Sequence, residues 1–149
     1  MREYVGPPLT RESLAALLDR EGIHECAYSL YGSHTSDAFV MDQRPQGWVV
    51  FYSERGEECG LRLHPDEAGA CLDLLQRVWD DEPNRFAVVA GPAPPDQADQ
   101  EFGRWLHGHG LTRRDLADAD WRMDDSPWEA GQPHFRRYWV RITRIRATS

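Results

Sequence analysis

Three sets of side chains in this 149-residue chain have the types that chemistry needs. Ser126, His134 and Asp125 share one polar segment and supply a hydroxyl, an imidazole and a carboxylate. A triad is defined by geometry, and nearness in sequence does not supply it; no nucleophile elbow surrounds the serine either. Chance co-occurrence in a polar loop is the expectation, and no catalytic residue is assigned. Cys59, His64 and Cys71, with His107 or His109 as a fourth ligand, offer the atoms zinc prefers, but their spacing matches no zinc pattern. Cys71 also falls on the apolar stripe of a helix, so a buried structural thiol is expected and no metal. The acids Asp80–Asp81 and Asp124–Asp125 are adjacent, as at solvated helix ends and turns rather than across a cleft. The segment GPAPP at residues 91–95 has one glycine and no backbone donor at its prolines, so it cannot cradle phosphate, and no cofactor is expected.

Two segments are better suited to binding than to catalysis. SERGEE, residues 53–58, is a charged hairpin turn carrying Glu54, Arg55 and Glu57. Residues 124–134 form a loop shaped by Pro127, Gly131 and Pro133, with Trp128, Glu129 and Gln132 on it. A tryptophan is costly to leave in water, so Trp128 either plugs the core of its own domain or anchors a partner, with the plug as the leading structural reading. Glu54, Arg55, Glu57, Trp128, Glu129 and Gln132 are the candidate partner-binding residues.

The elements that must position them are readable from periodicity. A helix is expected over residues 10–21, capped by Thr10, striped by Leu14, Leu17 and Leu18, and closed by Gly22 with Ile23 packing back on Leu18. Three strands then follow in hairpin succession, AFVMDQ, WVVFYSERG and GLRLH, the first turn built on Pro45 and Gly47. The middle strand is apolar on both faces and belongs inside a sheet. A second helix after Pro65 starts with Asp66 and Glu67 and carries the stripe Ala68, Cys71, Leu72, Leu75, Val78 and Trp79. RFAVVAG, residues 85–91, reads as a central fourth strand. A third helix over residues 96–109 buries Phe102, Trp105 and Leu106 and stops at Gly110, and Thr112 with Asp115 caps a short turn. The last strand spans residues 135–145. The expected fold is α+β, a mainly antiparallel sheet of about five strands in the order α-β-β-β-α-β-α-β, with helices packed on it. One domain over residues 1–149 is expected, with residues 1–8 as a loose lead-in.

Bulk composition agrees with this. A hydrophobic share of 40% and a charged share of 28% are ordinary for a globular domain. A chain of this length buries roughly 68–70% of its unfolded surface and needs no staple. No apolar run approaches a membrane span and residues 1–4 begin no signal peptide. Three cysteines make no disulfide framework, so a reducing cytoplasm is the simplest home. All 17 basic residues are arginine against 25 acids, for a net charge of −8. That argues against nucleic acid and suits a basic protein partner, steered at low salt, although solubility alone is the simpler account of the charge. Residues 136–149 hold five arginines and no acid, so the acidic excess lies elsewhere.

AYSL at residues 27–30, WVVFYSERG at 48–56, DEA at 66–68 and the pair Leu74–Leu75 resemble small actinobacterial immunity proteins of polymorphic toxin systems. The nearest likeness is to the immunity factors of TNT-type NAD glycohydrolase toxins. It covers residues 9–78, and DWRMDDSPWEAGQPHFRRYWVR is also similar. The resemblance implies a non-enzymatic cytoplasmic antitoxin that binds its cognate toxin and blocks the NAD site with a loop; no motif here marks which loop. Two other readings stay open on the residues alone. One is an enzyme or small-ligand protein with a cleft near the C-terminal loop, using His134 and nearby acids. The other is a homodimeric interaction subunit pairing through the strand at residues 138–145.

Overall fold

A computed structural model describes residues 4–33, 35–127 and 134–148. It is α+β, with four helices and two sheets of four and three strands among these residues. The strands therefore number seven, not five, and form two sheets instead of one. The chain divides into two compact units, Met1–Arg85 and Phe86–Ser149.

In Met1–Arg85, helix α1 (Arg11–Arg20) begins where Thr10 and Ser13 satisfy each other's backbone: Ser13 N donates to Thr10 Oγ1 at 3.2 Å and Thr10 N to Ser13 Oγ at 2.8 Å. It ends with Gly22 at φ +71, Gly22 N donating to Asp19 O and Ile23 N to Leu18 O, both at 3.0 Å. This is the expected Schellman ending. The sheet runs β1 (Tyr28–Ser29), β2 (Ala38–Arg44), β3 (Gly47–Glu54) and β4 (Glu57–His64) in that order, with β1 parallel to β2 and the rest antiparallel. β3 lies inside, as its two apolar faces require.

Register assigns those faces. Phe39 opposite Tyr52 and Met41 opposite Val50 share one; Val40 opposite Phe51 and Asp42 opposite Val49 share the other. On the first face Met41 and Val50 join Leu14, Leu17 and Leu18 of α1 and one side of α2 (Glu67–Asp80) in a continuous core. Asp66 caps α2, accepting from Gly69 N at 2.7 Å. The buried residues of α2 are Ala70, Cys71, Leu74, Leu75 and Val78. The expected stripe through Ala68 and Leu72 is thus rotated, and Leu72 is 45% exposed. The leucine run at 72, 74 and 75 allowed either face; contact with α1 and the sheet chose the one through Leu74.

In Phe86–Ser149 a three-stranded antiparallel sheet has the order β5 (Phe86–Ala93), β7 (His134–Arg141), β6 (Trp121–Pro127). β5 is therefore an edge, not the expected centre. Pro92, which has no N–H to give a ladder, belongs at an edge, and Val88 is 42% exposed. The segment expected as a polar loop contains β6. Its polarity is that of an edge strand whose charges pair across the hairpin. β7 ends at Arg141, opposite Phe86 at the start of β5. Beyond that point the ladder has no partner, and residues expected to extend the strand form helix α4 (Ile142–Arg146). Helix α3 (Pro95–Gly108) covers the sheet with Ala98, Phe102 and Leu106, and it too closes as expected, with Gly110 at φ +68 and Leu111 N donating to Leu106 O at 2.8 Å.

Gly91 has φ +76, and a Cβ there would lie 2.1 Å from the Arg136 carbonyl oxygen. Gly91→Ala is expected to cost about 3 kcal/mol or more, since the obstacle is backbone and the conformation is left-handed. Leu74→Ala is expected to cost about 2–5 kcal/mol, while Leu72→Ala stays within about 0.5 kcal/mol. Urea unfolding midpoints check all three, and equal losses at Leu72 and Leu74 would refute the assigned face.

Candidate partner-binding surface

The hairpin joining β3 to β4 has two central residues, Arg55 and Gly56, at φ +51 and +80. Positive φ at both is the signature of a type I′ turn, whose twist matches the strands it joins. That turn favours Asn-Gly or Asp-Gly; an arginine held in the left-handed region costs roughly 1–2 kcal/mol. Glu54 and Glu57 stand directly opposite each other beside it, and all three side chains are exposed. Like charges at that spacing repel. Among the described residues neither glutamate has an ion-pair partner. Glu58, one step further on, is held by a two-pronged contact from Arg44, which lies 5.3 Å from the Phe51 ring centre. The tip thus keeps two free acids and a strained arginine on a stiff base. Trp128, Glu129 and Gln132 lie outside the described residues.

β4 is fixed to the rest of its unit by Asp73 on α2. That carboxylate, 7% exposed, receives His64 Nε2 at 2.7 Å and Arg77 Nε at 2.8 Å, with Arg62 at 3.6 Å. Arg77 also donates to the Gly60 carbonyl at 2.9 Å. His64 is committed to this contact, and Cys71 is buried, its thiol pushed up to about 11 chiefly by burial. Among the described residues no three His, Cys, Asp or Glu side chains converge as metal ligands would.

The other unit contains a polar network that sequence reasoning missed. Tyr138, 2% exposed, donates its hydroxyl to Asp99 Oδ1 at 2.5 Å and accepts from Arg113 Nη2 at 2.9 Å. Arg136 bridges Asp99 at 2.9 Å and Asp125 at 2.7 Å. Arg113 stands 5.5 Å from the centres of the Phe102, Trp121 and Tyr138 rings, and Phe102 stacks on Tyr138 at 4.1 Å. Asp124 and Asp125 opposite Arg137 and Arg136 was the available signal: two adjacent acids and two adjacent arginines in hairpin register.

That register also separates the serine, histidine and aspartate considered above. Asp125 pairs with Arg136, Ser126 with Phe135 and Pro127 with His134. Alternate residues face opposite sides, so Ser126 points away from Asp125 and His134. A pocket of about 140 Å³ lined by Pro92, Ser126, Phe135 and Arg137 opens there. It is well below the 300–1,000 Å³ usual for a small-molecule site. β7 has β5 on one side and β6 on the other, so the strand suggested for homodimer pairing has no open edge.

No helix among the described residues is long and apolar enough to cross a membrane. Comparison of the chain with family models, with curated proteins and with solved structures found no match.

Asp99 and Tyr138, joined by one hydrogen bond, shift in opposite directions. Asp99 is held below the usual carboxylate range by the Tyr138 hydroxyl first and Arg136 second. Its native value lies under its unfolded one, so its stabilisation is present above about pH 4 and lost as pH falls through the native value. Tyr138 is pushed up by burial first and Asp99 second. Its stabilisation is present below about pH 10 and lost as pH rises through the native value. Asp99→Asn is expected to flatten the acid limb of a stability–pH profile and Tyr138→Phe the alkaline limb. Unchanged limbs would refute the assignment.

Proposed function

We propose that the chain is an immunity protein that binds a cognate secreted toxin, one that degrades NAD, and blocks its active site. The observation that carries this reading is the β3–β4 tip, where Arg55 is held at φ +51 between the opposed Glu54 and Glu57. Each choice opposes local stability at an exposed position, and such choices persist where the exposed groups have a task. Charge segregation supports it. Met1–Arg85 holds eight arginines against sixteen acids, and Phe86–Ser149 nine against nine. The whole excess of −8 therefore belongs to the unit that carries the tip. A basic rim around a toxin's active site would be drawn to it, and association would be fast at low salt. The resemblance in residues 9–78 points the same way and supplies the toxin class.

The test is to express the reading frames adjacent to this chain's gene and to measure whether the chain inhibits NAD hydrolysis by any of them. Stoichiometric inhibition is expected, with an association rate that falls steeply between low and high salt. Glu57→Arg is expected to weaken binding at least about tenfold, or 1.4 kcal/mol, with no loss of Tm. Arg55→Asn is expected to raise Tm by several degrees while weakening inhibition. A toxin left fully active by excess protein would sink the reading.

A further inference from the structure

We propose that Arg44 is a positioning residue for the β3–β4 tip: it stays off the toxin and sets the tip's affinity by holding the hairpin shut in the free chain. This rests on the immunity reading, which makes the tip the binding surface. A closed tip has little of its own to keep it closed. Arg55 stands in the left-handed region, Glu54 and Glu57 face each other, and residues 54–57 are exposed. The β3–β4 ladder is also cut short. Its register shifts between Val50 and Tyr52, where Gly60 has φ +63. The pairs Tyr52–Cys59, Ser53–Glu58 and Glu54–Glu57 lie on the tip side of that shift. The Asp73 contacts reach Arg62 and His64 on the other side of it, and Arg77 reaches Gly60 at the shift itself. A two-stranded ribbon of three pairs is marginal by itself.

Arg44 supplies what the ribbon lacks. It lies opposite Gly47, at the far end of β3, while Glu58 lies opposite Ser53, next to the tip. The two side chains lean toward each other along the sheet. Arg44 donates from Nη1 to Glu58 Oε1 at 2.9 Å and from Nη2 to Glu58 Oε2. Its Nε donates to Asp42 Oδ2 at 3.3 Å, and its guanidinium lies 5.3 Å from the ring centre of the buried Phe51. The link crosses β3 and ties the tip side of β4 to a third strand, β2. A forked contact fixes direction as well as distance. It also takes Glu58 out of the repulsion among the three acids at 54, 57 and 58, leaving Glu54 and Glu57 to the partner. With all three of its nitrogens engaged, Arg44 offers a partner little directly. A tip already shut loses less conformational freedom on binding, which raises affinity without a new contact.

Charge separates this role from steering. Arg44→Met makes the net charge of −8 more negative, Glu58→Met makes it less negative, and the double variant keeps it. Steering alone would therefore strengthen binding of a basic toxin by Arg44→Met and weaken it by Glu58→Met. Positioning weakens both. The double variant lays an apolar pair over Phe51, a replacement for an ion pair that is often neutral. Amide hydrogen exchange followed by NMR reads the tip in the free full chain, at Glu54 and Glu57, whose amides a two-residue hairpin bonds to each other's carbonyls. Each single variant should speed exchange there at least about tenfold, with Val49 and Val50 unchanged. Each should weaken toxin inhibition at least about fivefold, and the double variant should recover both. Tip amides that keep their rates in Arg44→Met overturn the proposal with no toxin needed. Inhibition that follows net charge across the three variants, and not tip protection, overturns it and leaves the immunity reading standing. A double variant with a protected tip and lost inhibition also overturns it, making Arg44 a toxin contact. A tip freed by Arg44→Met in a chain that inhibits no neighbouring protein keeps the brace and removes the immunity reading.

Discussion

The carboxylate of Asp73 holds the outward part of the Met1–Arg85 unit in place. β4 buries almost nothing of its own; its side chains are exposed along most of its length. A strand of that kind has only its ladder with β3 and whatever grips it from the helix side. Asp73 supplies the grip, joining His64 and Arg77, with Arg62 further out. Burying a carboxylate costs several kcal/mol unless it is fully matched, and here it has a short contact to each of two neighbours. The stretch Leu61–His64 takes its position from this group, while the tip at Arg55 is braced by the Arg44–Glu58 contact.

The two units solve different electrostatic problems. Phe86–Ser149 has balanced charge and spends it inwardly: Asp99, Asp124 and Asp125 are each matched to an arginine, and Arg113 lies over three aromatic rings. Met1–Arg85 has twice as many acids as arginines, so its net charge cannot be balanced within the unit. An isolated exposed pair is worth little. A net excess of −8 is worth more, because its field reaches out to about a Debye length. The acidic unit is thus suited to attracting a basic surface, and the neutral one to stability.

Much of the local structure was legible. Both Schellman endings, the Thr10 cap and the Thr112–Asp115 box follow from residue types at fixed offsets of three to five positions, and the inner place of β3 from its two apolar faces; Asp66, expected in the first turn of α2, stands one residue before it as the cap. What failed was whatever a distant neighbour decides. The leucines of α2 permitted two faces, and α1 chose between them. The run RFAVVAG looked central because its composition is apolar, yet an edge strand can be apolar. WRMDDSP looked like a loop because its charges hid its period, and those charges find their mates only once β7 lies alongside.

For the candidate surface the division is the same. By itself the sequence determined that residues 53–58 are a charged turn between two strands, since glycine, the flanking apolar alternation and the acids are all local facts. It determined the acidic excess as well. Only the tertiary structure decided that the excess belongs to one compact unit, that Arg55 is left-handed with Glu54 and Glu57 opposed, and that Arg44 reaches Glu58 across β3. Those are matters of strand order and register, set by contacts between residues far apart in the chain.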